Sequence, residues 1–192
     1  MINQQKISLG TMKANRPYMV LYLLEKFEKE ISKQPRILSD LLYFSSQVLH
    51  KHNATLGYRF IQRQYYVGIT DEDIPHDITF LEILGFLKYT PPKIKLNKES
   101  AEIKVREKLN KIYGEEAIKE VDKACEKLKK IPVKDIPFHS VVAFNIENNS
   151  LFNDSPQELI KIFLGWKGFS KERLKKILYN LKDLPFDESM KK

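Results

Sequence analysis

Along most of this chain apolar residues recur every three or four positions, the spacing of amphipathic helices, and in two places they alternate or cluster as in strands. In "PYMVLYLLEKFEKEI", residues 17 to 31, Val20, Leu24, Phe27 and Ile31 fall on one stripe, and Pro17 is placed to be the first helical residue, where a missing N–H costs nothing. Pro35 ends that helix. "LSDLLYFSSQVLHKH" follows with a wide apolar face of Leu41, Leu42, Phe44, Ser45, Val48 and Leu49, capped by Ser39 or Asp40; its width marks it as central to the core. After Gly57, "YRFIQRQYYVG" is rich in aromatic and β-branched residues and reads as a strand.

The stretch "DIPHDITFLEILGFLKYTPPKIKLN", residues 73 to 97, predicts a helix capped by Thr70 or Asp71, a stop at Gly85 and a β-hairpin across "TPP". Ile74, Ile78, Leu81 and Leu84 form the helix stripe, widened by Phe80 and Ile83. In the hairpin Ile94 and Leu96 face one way and Lys93 and Lys95 the other. From Lys98 to Ile131 the pattern is helical, broken at Gly114, with Ile103, Leu109, Ile112, Ile118, Val121, Cys125 and Leu128 as buried candidates. Between Pro137 and the next turn, "FHSVVAFNI" fits either a short strand or a buried helix piece. Ser155, Pro156 and Glu158 form a capping box, Gly165 stops that helix, and Ser170 caps another running to about Lys182 across the turn "GWKGF". The expected fold is mainly α with a small antiparallel β element. A helical core domain over 1–135 contains a winged-helix-like segment at 57–97, and a C-terminal helical hairpin is appended over 136–192.

Composition changes this picture little, but charge changes it substantially. With 192 residues the chain suits one core, and 42% hydrophobic and 30% charged residues mark it as globular. No run of about 18 apolar residues occurs, and the N-terminus lacks a signal-peptide pattern, so a soluble, cytoplasmic protein is expected. The lone Cys125 permits no internal disulfide. The net charge of +8 is concentrated: residues 88–134 hold 14 basic and 8 acidic side chains and residues 161–182 hold 7 and 1, whereas 38–87 hold 3 and 6. Two basic blocks of this kind suit a polyanionic partner, or a lysine-rich surface that serves only solubility.

Catalytic signatures are missing from this picture. There is no Gly-rich phosphate loop, no Ser-His-Asp pattern and no His-Glu-x-x-His. His50 and His52 lie two apart and do not share a helix face, so they are expected to be surface residues. Asp71, Asp73, His76 and Asp77 would hold a divalent ion for hydrolysis if they lined a cleft; otherwise they complement a helix dipole. The expectation is a non-enzymatic protein with no metal and no cofactor. Residues 71–85 also offer five acids and no Lys or Arg, which disfavours that helix as a major-groove reader. The hairpin lysines Lys88, Lys93 and Lys95 are better placed for phosphates.

"GFSKERLKKIL", residues 168 to 178, has Gly168 and Phe169 opening a helix with Lys167, Ser170, Lys171, Arg173, Lys175 and Lys176 about its start. Exposed amides and these cations favour a phosphate. Over residues 164–178 the stretch resembles a degenerate helix-hairpin-helix motif: Gly168, Phe169, Ile177 and Leu178 match, while Ser170 replaces the second glycine and Leu174 the usual alanine. The resemblance implies a DNA phosphate held at the second helix. A second likeness covers residues 38–130. Tyr43 and Phe44 in "LLYF", Tyr66 and Gly68 in "YVG", and Gly85 before a short strand resemble the Panacea (SocA-like) antitoxin domain. Gly68 is followed by Ile69 where that family carries proline, and the later tryptophan signature is absent. That resemblance implies a mostly helical domain that binds a protein partner, with Tyr58, Tyr65, Tyr66, Asp73 and Asp77 as contact candidates. Two expectations follow: a nucleic-acid-binding regulator or accessory factor, with DNA the expected partner, or a protein-interaction module of antitoxin or adaptor type.

Overall fold

In a computed structural model of the chain, residues 9–63, 67–90, 93–97, 104–149, 163–165, 168–182 and 184 are described, without the side chains of 9–14 and 149. The capping box at Ser155 to Glu158, Tyr65, Tyr66, Lys167 and Ile103 lie outside the described residues. The elements run α1 (Leu9–Lys33), α2 (Ile37–Lys51), β1 (Ile61–Gln62), β2 (Ile69–Thr70), α3 (Asp73–Ile83), β3 (Leu87–Thr90), β4 (Lys93–Leu96), α4 (Val105–Tyr113), α5 (Glu115–Leu128), a 3-10 turn (Val133–Asp135), α6 (Ile136–Asn149) and α7 (Lys171–Lys182). The fold is therefore mainly α, with two small antiparallel pairs, β1–β2 and β3–β4, among the described residues.

The wide apolar face read in α2 makes it the hub. Leu38, Leu41, Leu42, Tyr43, Phe44, Val48 and Leu49 are buried, and the helix packs on α1, α5, α6 and β2. Its start differs from expectation. Ser39 and Asp40 do not cap; the helix begins at Ile37, and both are buried within its first turn. Asp40 instead accepts hydrogen bonds from the backbone N–H of Ile69 (2.7 Å) and the hydroxyl of Ser140 (2.6 Å), joining α2 to β2 and α6. Burial pushes its carboxyl up to about 6, against the opposing pull of Arg63 and of those two bonds.

Helix α1 also starts earlier than predicted: Pro17 lies inside it, not at its first position. Residues before Pro17 show no apolar stripe, but Arg16 is buried and ion-paired to α3, and tertiary contact of this kind outweighs a local breaker. The chain departs from helical geometry at Phe27 (φ −127°, ψ 29°). A second clamp gathers Tyr22, Lys26 and Arg106 on Asp122, with Lys26 and Arg106 each 2.7 Å away, and ties α1, α4 and α5 together. In α5, Ala117, Ile118, Val121, Ala124, Cys125 and Leu128 form the buried stripe. The ambiguous "FHSVVAFNI" is helical. Val141, Val142 and Ala143 are fully buried because α6 meets α2, β2 and α7 at once, which erases any one-sided periodicity. Thus α6, read from sequence as the start of the appendage, contributes to the same core cluster as α1, α2 and α5.

The winged-helix-like order of helix then hairpin is present. Leu87 pairs with Leu96, Lys88 with Lys95, Tyr89 with Ile94 and Thr90 with Lys93. Ile94 is buried and Leu96 partly so, against α1, while Lys88, Lys93 and Lys95 are exposed. Gly85 ends α3 with φ +77°, a conformation that other residues adopt only with strain.

Candidate nucleic-acid interface

The predicted cap of α7 forms: the backbone N–H of Arg173 donates to the Ser170 hydroxyl at 3.1 Å. The helix then docks on α6 through Leu174, Ile177 and Leu181. Gly168, at φ +94°, lies so close to α6 that an added Cβ would meet the ring of Phe138 at 3.2 Å. Phe169 packs edge-on against Phe138 (5.0 Å) and at a tilt against Phe163 (5.3 Å). Its conformation and close contact give Gly168 a packing role. Arg173 is likewise committed. Its guanidinium stands 3.5 Å over the Phe138 ring, donates to the Gly168 carbonyl at 2.8 Å and pairs with Asp135. Of the cations nominated here from sequence, Lys171, Lys175 and Lys176 remain exposed.

Lys176 does not stand alone. It faces the C-terminal end of α5 across a cleft of about 430 Å³, whose walls are Lys127, Lys130, Ile131, Pro132, Lys176, Asn180 and Leu184. The geometry follows from local sequence. Helix α5 ends at Leu128 on the bonds Lys130 N–H to the Lys127 carbonyl (3.1 Å) and Ile131 N–H to the Leu128 carbonyl (3.0 Å), and Pro132 prevents its continuation. Ile131 turns inward, leaving Lys127 and Lys130 exposed. The neighbouring Lys129 is used elsewhere, 2.8 Å from Glu126 and over the Phe27 ring. Among the described residues no acid lines the cleft, and none of its three ammonium groups has an acidic partner.

The far wall is set by His139 of α6. Its Nδ1 lies 2.8 Å from the Asp135 carbonyl, which only accepts, so Nδ1 carries the proton and Nε2 accepts from the Asn180 amide at 3.0 Å. Burial lowers the imidazole's proton affinity, and the cations Arg173 and Lys176 add to that, against the opposing effect of Asp135. A neutral His139 therefore holds Asn180, and with it this face of α7, at the cleft.

Sequence reasoning singled out Lys176 but missed Lys127, Lys130 and Asn180. The available signal was the pair Lys127 and Lys130, three apart at a helix end beside Ile-Pro and inside the first basic block. The hairpin lysines Lys88, Lys93 and Lys95 form a separate basic surface on a β-pair supported mainly by α1 and α3. Lys88 and Lys95 sit directly opposite one another, a like-charge pairing that disfavours the hairpin slightly unless an anion bridges them.

The acids at the start of α3 turn inward. Arg16 donates to Asp73 at 2.8 Å and approaches Asp77 at 3.5 Å, with its guanidinium 4.7 Å over the ring of Tyr58. The Tyr58 hydroxyl donates to Asp77 at 2.6 Å, and Asp71 accepts from the backbone N–H groups of Arg59 and Asp73. Tyr58, Asp73 and Asp77, nominated for a partner, are thus engaged inside the fold, and His76 points to solvent. The outer face of α3 differs from the predicted all-buried stripe: Ile74 and Leu81 are buried, but Phe80 (50% exposed), Ile83 (78%) and Leu84 (50%) are not. Of the residues behind the antitoxin resemblance, Tyr66 lies outside the described residues. Tyr43 packs on Phe44 and Phe60, and Gly68 approaches Asp40 so closely that a Cβ would lie 3.0 Å from its carboxylate.

No protein-family model, curated protein or solved structure matches this chain. No described helix is long and apolar enough to cross a membrane.

Proposed function

We propose that this protein is a non-enzymatic nucleic-acid-binding accessory factor or regulator that grips phosphates at the α5–α7 cleft. One observation carries this reading: Lys127 and Lys130 from the first basic block and Lys176 from the second share one concave site with no acid among the described residues of its wall. Unneutralised ammonium groups converging on a groove favour a polyanion, and each phosphate they contact releases condensed counterions. Lys171 and Lys175, exposed on the same helix, extend the positive surface. Binding of this type reads little sequence, because phosphates are common to every site.

The test is a fluorescence-anisotropy titration of labelled DNA across a salt series. Binding at about 50 mM salt that weakens steeply and linearly in log–log form supports the reading, whereas no binding at that salt overturns it. A second reading, a protein-interaction module, is favoured by the exposed Phe80, Ile83, Leu84 and Tyr89 on α3 and β3. It predicts a partner that survives nuclease treatment in a pull-down and is lost with Ile83→Asp.

A further inference from the structure

We infer that the α5–α7 cleft takes an unpaired nucleic-acid strand, with the ring of Tyr179 stacking on a base while Lys127, Lys130 and Lys176 hold the adjoining phosphates. The inference rests on the functional reading above and adds the class of ligand. Tyr179 is the only aromatic side chain of α7. It follows Lys176 by three residues, so helical periodicity sets it beside Lys176, at the outer lip of the cleft that Lys176 lines. At 70% exposure it contributes almost nothing to the core, which α7 reaches through Leu174, Ile177 and Leu181. Lys175, one turn before Tyr179, is also exposed.

A flat ring beside a row of ammonium groups is the pairing that single strands use. Their bases expose π-faces to an aromatic platform, and their phosphates follow the cationic groove. A duplex keeps its bases stacked within the helix and offers such a ring nothing to stack on. Among the described residues the walls of the cleft hold no aromatic side chain, so Tyr179 beside Lys176 is the ring placed to meet a base.

The experiment compares mixed-sequence single-stranded DNA, RNA of the same sequence and the corresponding DNA duplex by anisotropy at about 50 mM salt. The wild type, Tyr179→Ala, Tyr179→Phe and Lys176→Ala are each titrated. Single strands should bind more tightly than the duplex. Tyr179→Ala should weaken single-strand binding by about 5- to 100-fold and leave duplex binding unchanged, while Tyr179→Phe retains the affinity. Lys176→Ala should weaken every form and flatten the salt dependence. Binding of either single strand more tightly than the duplex, with loss in Tyr179→Ala, supports the inference, and the tighter strand identifies the preferred sugar. A duplex bound as tightly as the strands, or Tyr179→Ala without effect on them, overturns the inference and leaves the phosphate cleft standing. No binding of any form removes both.

Discussion

The acids that begin α3 and the lysines around the α5–α7 cleft are both dense charge clusters, and the fold treats them in opposite ways. Asp71, Asp73 and Asp77 are supplied with Arg16, the Tyr58 hydroxyl and backbone N–H groups, so little of their charge is left for a partner. Lys127, Lys130 and Lys176 are given a cleft with no acid among the described residues. Arg173 shows the same contrast within a single helix: it is locked to Asp135 and Phe138, while Lys175 and Lys176 beside it are exposed. Charge in a sequence thus becomes a binding determinant only where tertiary structure fails to neutralise it. The remaining electrostatic field is what a ligand meets.

The contrast can be broken first at its inward-facing end. Arg16→Met should cost about 3–5 kcal/mol in urea unfolding, because Asp73 and Asp77 would be left without their buried counter-charge. A loss below about 1 kcal/mol would mean the cluster is not held by Arg16. Arg173→Ala should cost about 1–3 kcal/mol through its lost ion pair and ring contact, whereas Lys175→Ala should remain within about 0.5 kcal/mol. Equal losses would erase the distinction drawn along α7.

Asp40 sharpens the comparison by pH. Its carboxyl, raised by burial to about 6, holds its proton more tightly when folded than the ordinary value of 3.8 allows. The stability it contributes is therefore complete below about pH 4 and is lost as pH rises through about 6, by up to roughly 3 kcal/mol. His139 acts with the opposite sign: its lowered proton affinity gives stability that is present above the ordinary value of 6.5 and is lost as pH falls through the lowered value. In Asp40→Asn, which keeps a side-chain oxygen for Ile69 and Ser140, the decline between pH 4 and 6 should disappear from the denaturation profile. An unchanged profile would mean that Asp40 does not titrate there.

Much of the architecture could be read from periodicity, since the stripes of α2 and α5 and the alternation in β4 report directly which faces meet the core. What could not be read depends on partners distant in sequence. Asp40 looked like a local cap, but its ligands are Ile69 and Ser140. Pro17 looked like a start, but Arg16 before it is anchored on α3. Phe80, Ile83 and Leu84 looked like core because their spacing fits a stripe, although each is at least half exposed. At the candidate site, Lys176 was legible because basic residues crowd its helix. The companionship of Lys127 and Lys130 was not, because only the packing of α6 and α7 closes the gap between the two basic blocks.

The smallest effect on stability should accompany the largest effect on binding. Alanine at Lys127, Lys130 and Lys176 together should leave the unfolding midpoint nearly unchanged, since exposed side chains without partners contribute little. The most direct measurement of the central claim is the salt dependence of nucleic-acid affinity for that variant beside one carrying Lys88→Ala, Lys93→Ala and Lys95→Ala. The cleft variant should lose most of its affinity and flatten the log–log slope by about 0.7–0.9 for each phosphate contact removed, while the hairpin variant stays near the wild type. Loss of binding in the hairpin variant with the cleft variant unaffected would contradict the account.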